Sequence, residues 1–249
     1  MLPGAKIVTA PEVMAASDLV LLTVPDDVLA DLVAGLAATG SIRPGQFVVH
    51  ASGRYGVAVL EAATREGALP LALHPVMTFS GTSTDLPRLI GASFGVTAPE
   101  PLRPAAEALV LEIGAEPVWV EEELRPLWHA ALSHGANHLV TLVAQSLDLL
   151  RSAGVSEPQR VLGPLLSASL DNALRSGDAA LTGPVSRGDA GSVAAHVQAL
   201  AAVDPEALRT YRALARATAD RALASGRLAA KDAEALLDAL AGPTDEARA

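Results

Sequence analysis

A chain of 249 residues, half of them apolar, is long enough for one large domain or two ordinary ones. A formal net charge of −10 opposes a phosphate backbone and argues against nucleic acid, and the lack of cysteine excludes disulfides, thiol nucleophiles and thiolate metal sites. No apolar run reaches the roughly 18 residues a membrane span needs, and Met1–Lys6 lacks the parts of a signal peptide, so a cytoplasmic protein is expected.

Lys6–Thr9 predicts a strand and Pro11–Ser17 a short helix. Asp18–Asp26 is a continuous β-rich run, long enough for a buried strand and stopped by Pro25. Helical spacing follows from Asp27 to Leu36, then a short strand at Phe47–His50 that ends in Ala51-Ser52-Gly53. Val57–Arg65 predicts helix, Leu71–Pro75 strand, Ala92–Val96 a weaker strand, Pro104–Ile113 helix and Pro117–Val120 strand. Strands fed by helices imply a mainly parallel sheet covered on both faces. After Glu121 the strands stop. Glu122–Ala153 predicts one almost uninterrupted helix of about 45 Å. Ser156-Glu157-Pro158-Gln159 restarts helix with a capping-box pattern, and Asp189 and Asp204-Pro205 open further helices. The fold class is thus α/β followed by all-α. The expected division is a partial Rossmann-like domain over 1–121 and a helical domain over 122–249, with the long helix covered by a second copy in a homodimer.

A dinucleotide-binding domain should open with a strand, a Gly-x-Gly-x-x-Gly turn and a helix that holds the pyrophosphate. The only glycine before Asp18 is Gly4, which follows no strand. The pattern starts midway, as if Lys6–Thr9 were a third strand, so the expectation is a truncated chain or a start read too late. The segment that chooses NAD or NADP would then lie upstream.

Several motifs recur in a specific order: the Asp18–Asp26 strand ending in Val24-Pro25-Asp26, His50-Ala51-Ser52-Gly53, and His74-Pro75 with Phe79. His129-Ala130-Ala131, Asn137, and Gly183–Asp189 with His196 follow. The first resembles the fourth strand of the β-hydroxyacid dehydrogenase and ketopantoate reductase superfamily. The whole set resembles a bacterial family with a Rossmann-like domain joined to the domain of unknown function 2520, over nearly the entire chain. The resemblance implies hydride transfer from NADP or NAD, with NADP favoured, to a small carbonyl or imine held between the domains. Ketopantoate reduction in pantothenate synthesis is the favoured activity. The alternatives are an imine reductase of the pyrroline-5-carboxylate type, and a dimeric scaffold that has lost its nucleotide loop.

On that frame, Val24, Pro25 and Asp26 are candidate cofactor contacts, although proline and aspartate also simply end a strand and begin a helix. Ser52 and Gly53 offer a hydroxyl and an approachable backbone to cofactor or substrate, or a plain capped turn. His50 is expected to face inward, and His74 to be free to point into the cleft. His129, Ser133 and Asn137 lie four residues apart, on one helix face. The wider superfamily carries a proton-donating lysine there; here Lys6 and Lys231 are the only lysines, so His129 is the substitute acid, with Ser133 and Asn137 orienting substrate. Arg187, in the loop Thr182–Asp189, presents a planar fork to a carboxylate. Asn172 and His196 are candidates to complete that pocket. His134 and His138 have the spacing of helical metal ligands but lack the accompanying glutamate and any cysteine, so no metal is expected.

Overall fold

The computed structural model describes residues 6–241. They fall into two compact units, the first ending at His138 and the second beginning at Leu139. In the first, five strands lie side by side in chain order: β1 (Leu19–Leu22), β2 (Phe47–His50), β3 (Leu69–Pro75), β4 (Ser93–Thr97) and β5 (Glu116–Trp119). β1, β2 and β3 run parallel, β4 turns antiparallel to β3, and β5 runs parallel to β4. The helices are α1 (Ala10–Ala16), α2 (Asp26–Ala38), α3 (Glu61–Arg65), α4 (Asp85–Leu89) and α5 (Arg103–Glu112).

Strand alternation sorts the apolar residues onto two faces. Val20, Leu22 and Val48 pack with Met14 of α1, Leu29 and Val33 of α2, and Leu60. Val49, Leu71, Leu73, Phe94 and Val96 pack with Ala106 and Val110 of α5. The mostly parallel sheet with helices on both faces is the one the sequence predicts. The strand expected at Lys6–Thr9 does not form. Thr9 instead begins α1, its backbone N–H and hydroxyl both donating to the Glu12 carboxylate at 2.8 and 2.7 Å, and Ile7 is exposed. A local capping box has taken the donor that a ladder would need. β1 is one of the two outer strands of the sheet, and its Leu19 and Leu21 are exposed.

The helix predicted from Glu122 to Ala153 forms without a gap up to Ser152, but its winding changes along the way. A 3₁₀ turn at Glu122–Leu124 leads into α6 (Arg125–Leu132), a π turn spans Ser133–Asn137, and α7 runs His138–Ser152. Ser133, Gly135 and Asn137 are weak helix formers, and a π turn accommodates one extra residue in the ladder.

The second unit is wholly helical among the described residues. It contains most of α7, then α8 (Pro158–Ser176), α9 (Ala190–Val203), α10 (Pro205–Ala224) and α11 (Ala230–Ala241). Its core joins Val193 of α9 to Ala215, Ala219 and Ala222 of α10 and to Leu236 and Leu240 of α11. The Asp189 side chain caps α9 by accepting from the Ser192 N–H, and Asp204 caps α10 by accepting from Glu206 and Ala207. Both caps are as predicted. The box expected at Ser156–Gln159 does not close: α8 starts at Pro158, and Glu157 takes the cap position without a side-chain cap bond. No helix among the described residues is long and apolar enough to cross a membrane.

Candidate functional site

In the first unit a groove of about 800 Å³ opens where β1, β2 and β3 end. Val24, Asp26, Ser52 and His74 line it together with apolar side chains such as Leu21, Val49 and Phe94. Four residues singled out in separate parts of the sequence therefore share one wall, because parallel strands deliver their carboxyl ends to the same edge. Pro25 flanks the start of α2, and Asp26 and Asp27 fill that helix's first turn.

α6 is pinned over this edge by Arg125, which is completely buried. Its guanidinium donates to the carbonyls of Ala72 at 2.9 Å, Gly95 at 3.0 Å and Ser52 at 3.4 Å, while Nε donates to Thr97 Oγ1 at 2.7 Å. One cation thus ties β3, β4 and the turn after β2 to α6. Burial holds its pKa down at about 10, and nearby Glu122 works the other way. Glu122 in turn accepts from the backbone N–H groups of Val57 and Ala58 at 2.7 and 3.2 Å. Nothing in the sequence singled out Arg125, Trp128 or Glu122. The available signal was a charge placed four residues before His129, within an otherwise amphipathic helix.

With α6 so fixed, His129 meets His74 edge to face, ring centroids 5.9 Å apart. Gly53 lies against both: a Cβ there would stand 2.6 Å from His129 Cδ2 and 2.8 Å from His74 Nε2. Trp128 Nε1 donates to His74 Nδ1 at 3.2 Å. Behind them His50 is buried as predicted, Nδ1 accepting from the Ser52 N–H and Nε2 donating to the Gly56 carbonyl at 2.8 Å. Ser133 is half-buried and Asn137 exposed in the π turn, where straight four-residue stepping no longer applies. His134 and His138 approach at 3.2 Å between Nδ1 atoms, and no group of three or more potential metal ligands occurs among the described residues.

Desolvation pushes both His50 and His74 down to about 4 from an ordinary 6.5, with Arg125 adding to the effect. The unfolded chain then binds more protons than the folded one between those values, so stability falls as pH drops through that window. Urea midpoints measured from about pH 7 to about pH 4.5 should decline steadily, and a His50→Asn variant should show a shallower slope.

In the second unit Arg187 is exposed beside the cap of α9, near Asp189 and His196. His196 Nδ1 shares a hydrogen bond with the Tyr211 hydroxyl at 3.0 Å, and both line a pocket of about 520 Å³ with Leu142, Gln145 and Leu214. Asn172 is exposed on α8. Arg187 and His196 thus both lie near Asp189, whereas Asn172 has no hydrogen bond to join it to them.

The first unit thus carries a mostly parallel α/β sheet with a polar edge, and the second is helical among the described residues. The chain belongs to the family described as domain of unknown function (DUF2520), which matches residues 92–218, and residues 1–75 match a Rossmann-like domain. No curated protein shows a significant sequence match. Among solved structures, it is similar to a Bacteroides fragilis protein provisionally described as an NADP oxidoreductase. That match has a TM-score of 0.69 at 22% identity over 82% of this chain and 75% of the other. A reductive aminase from Aspergillus terreus, in complex with NADPH and ethyl levulinate, matches with a TM-score of 0.55 at 19% identity over 91% and 80%. Plasmodium falciparum pyrroline carboxylate reductase with NADP bound matches with a TM-score of 0.57 at 11% identity over 94% and 85%. At these identities the likeness concerns the fold.

Proposed function

We propose that the chain is an NAD(P)H-dependent reductase of a small carboxylate-bearing carbonyl compound, with ketopantoate the favoured substrate. The meeting of His74, His129 and Gly53 at the carboxyl ends of β2 and β3 carries this reading. A reduced carbonyl oxygen needs a proton, and two imidazoles stand at the sheet edge to hold one. An imine substrate, suggested by the names of two similar structures, is the second reading.

The fit to a dinucleotide is uneven. Ser52 and Val24 on the groove wall fit the flat, neutral nicotinamide end, whereas the space off Gly53 is already filled by His129 and His74. The pyrophosphate does not fit at α2, whose first turn carries two carboxylates where an anion wants bare N–H groups. Among the described residues no glycine-rich strand-to-helix turn replaces it. The cofactor, once bound, supplies the hydride. His129 gives the proton to the forming alkoxide, and Ser133 and Asn137 orient the substrate. In the helical unit Arg187 is the candidate partner for a carboxylate. The chain acts as a homodimer: α7 exposes Val140, and α8 exposes Leu165, Leu170 and Leu174, apolar side chains that a second copy would cover, and light scattering decides it.

Titration with NADPH and NADH, followed by turnover of ketopantoate and of a cyclic imine, tests the reading. His129→Gln should lower kcat for the carbonyl about 100-fold. Arg187→Ala should raise KM about 10-fold or more with little change in kcat, as loss of a charged hydrogen bond to the ground state demands. Turnover of the imine alone, indifferent to His129, would favour the second reading. Absence of dinucleotide binding would leave the scaffold.

A further inference from the structure

Gly95 of β4 sits opposite His74 of β3 in the antiparallel ladder. It leaves empty the space a side chain would take, and the Trp128 indole occupies it: a Cβ on Gly95 would lie 2.8 Å from the ring. Seated there, the indole Nε1–H donates to His74 Nδ1 at 3.2 Å. An indole nitrogen only donates, so the imidazole nitrogen it meets must be bare. The proton of a neutral His74 is then on Nε2, the atom that rests against Gly53, in a side chain that lines the groove. A doubly protonated ring would set two N–H groups head to head.

We propose that Trp128 is a positioning residue that locks His74 as its neutral Nε2–H tautomer, a fixed hydrogen-bond donor for the substrate oxygen, and so leaves proton transfer to His129. The substrate part of this rests on the reductase reading; the lock itself does not. Every charged or titratable neighbour of His74 is in keeping or outweighed. Burial, then Arg125 and His129 from α6, disfavour the imidazolium; Asp26 from α2 favours it less strongly than any of these, and His50 from β2 disfavours it more weakly still. The two histidines at the sheet edge therefore have different work, and a tryptophan that touches no substrate decides which does what.

Long-range proton–nitrogen correlation spectra of the uniformly labelled full chain read the tautomer directly, with the His74 signals assigned by their loss in His74→Gln. The expected result is a bare Nδ1 and a protonated Nε2, unchanged between about pH 8 and about pH 5. Trp128→Phe keeps a ring against Gly95 but removes the donor. It should give mixed tautomers, a His74 titration moved toward the ordinary value, and a kcat lowered about 10-fold with a new acid limb in the pH profile. Gly95→Ala, which unseats the indole, should reproduce the change. A His74 of the unmutated chain that carries its proton on Nδ1, or both protons at neutral pH, overturns the lock, even if Trp128→Phe fails to fold. If the tautomer is as expected but neither carbonyl nor imine is reduced, the donor role falls with the reductase reading and the lock stands.

Discussion

Replacing Arg125 with methionine should destabilise the chain by about 3–5 kcal/mol and lower its Tm by about 10 °C or more. The side chain is fully buried, and its partners are three backbone carbonyls and a threonine hydroxyl. A buried carboxylate partner could be removed along with the arginine, leaving an apolar pair of similar volume. Backbone carbonyls cannot be mutated away, so each unpaired acceptor keeps its desolvation cost. The loss is a large part of the 5–15 kcal/mol typical of a domain. Arg125→Lys keeps the charge but offers donors from one point instead of a planar fork, so it should recover only part. Urea and thermal unfolding of the three proteins measure this. A methionine variant with the stability of the parent would mean that these bonds hold nothing together. Because Trp128 and His129 follow Arg125 on the same helix, the variant should also lose whatever activity the site has.

Most of the fold was legible because its signals are local. The apolar run after Asp18, the strand before Ser52, and the aspartate caps at 189 and 204 each state their structure within a few residues. Lys6–Thr9 misled for the same reason in reverse: its composition suits a strand, but Thr9 finds a nearer partner in Glu12. The site was half legible. Strand ends identify Val24, Ser52 and His74, since a parallel sheet must gather them at one edge. What holds the edge together is non-local. Arg125 reaches carbonyls 30, 53 and 73 residues away, which no window along the chain can foresee. Trp128 looks like an ordinary core aromatic until Gly95 is seen opposite His74. The three polar residues stepping from His129 presumed an unbroken α-helix, and the π turn at Ser133 alters the geometry for the second and third.

Gly53→Ala should lower kcat about 100-fold while leaving the chain folded. Glycine is not required there by its backbone, which does not occupy the left-handed region. It is required by the two imidazoles that crowd it, so the substitution isolates a steric effect from a conformational one. A methyl group would press on His129 Cδ2 from 2.6 Å and on His74 Nε2 from 2.8 Å, and one or both rings must swing away. Displacing a reacting group by about 1 Å is enough for a loss of this size. The stability cost of such overpacking is smaller, about 1–3 kcal/mol, because His74 borders an open groove and His129 is only half-buried, so the rings have room to give. Gly35→Ala in α2 is the matched control: its methyl meets nothing within 4 Å, so the helix should hold or gain slightly and kcat should not move. A Gly53→Ala protein as active as the parent would place the reacting atoms elsewhere on the sheet edge. A severe loss in kcat, with KM for the nucleotide little changed, would put them at the two histidines.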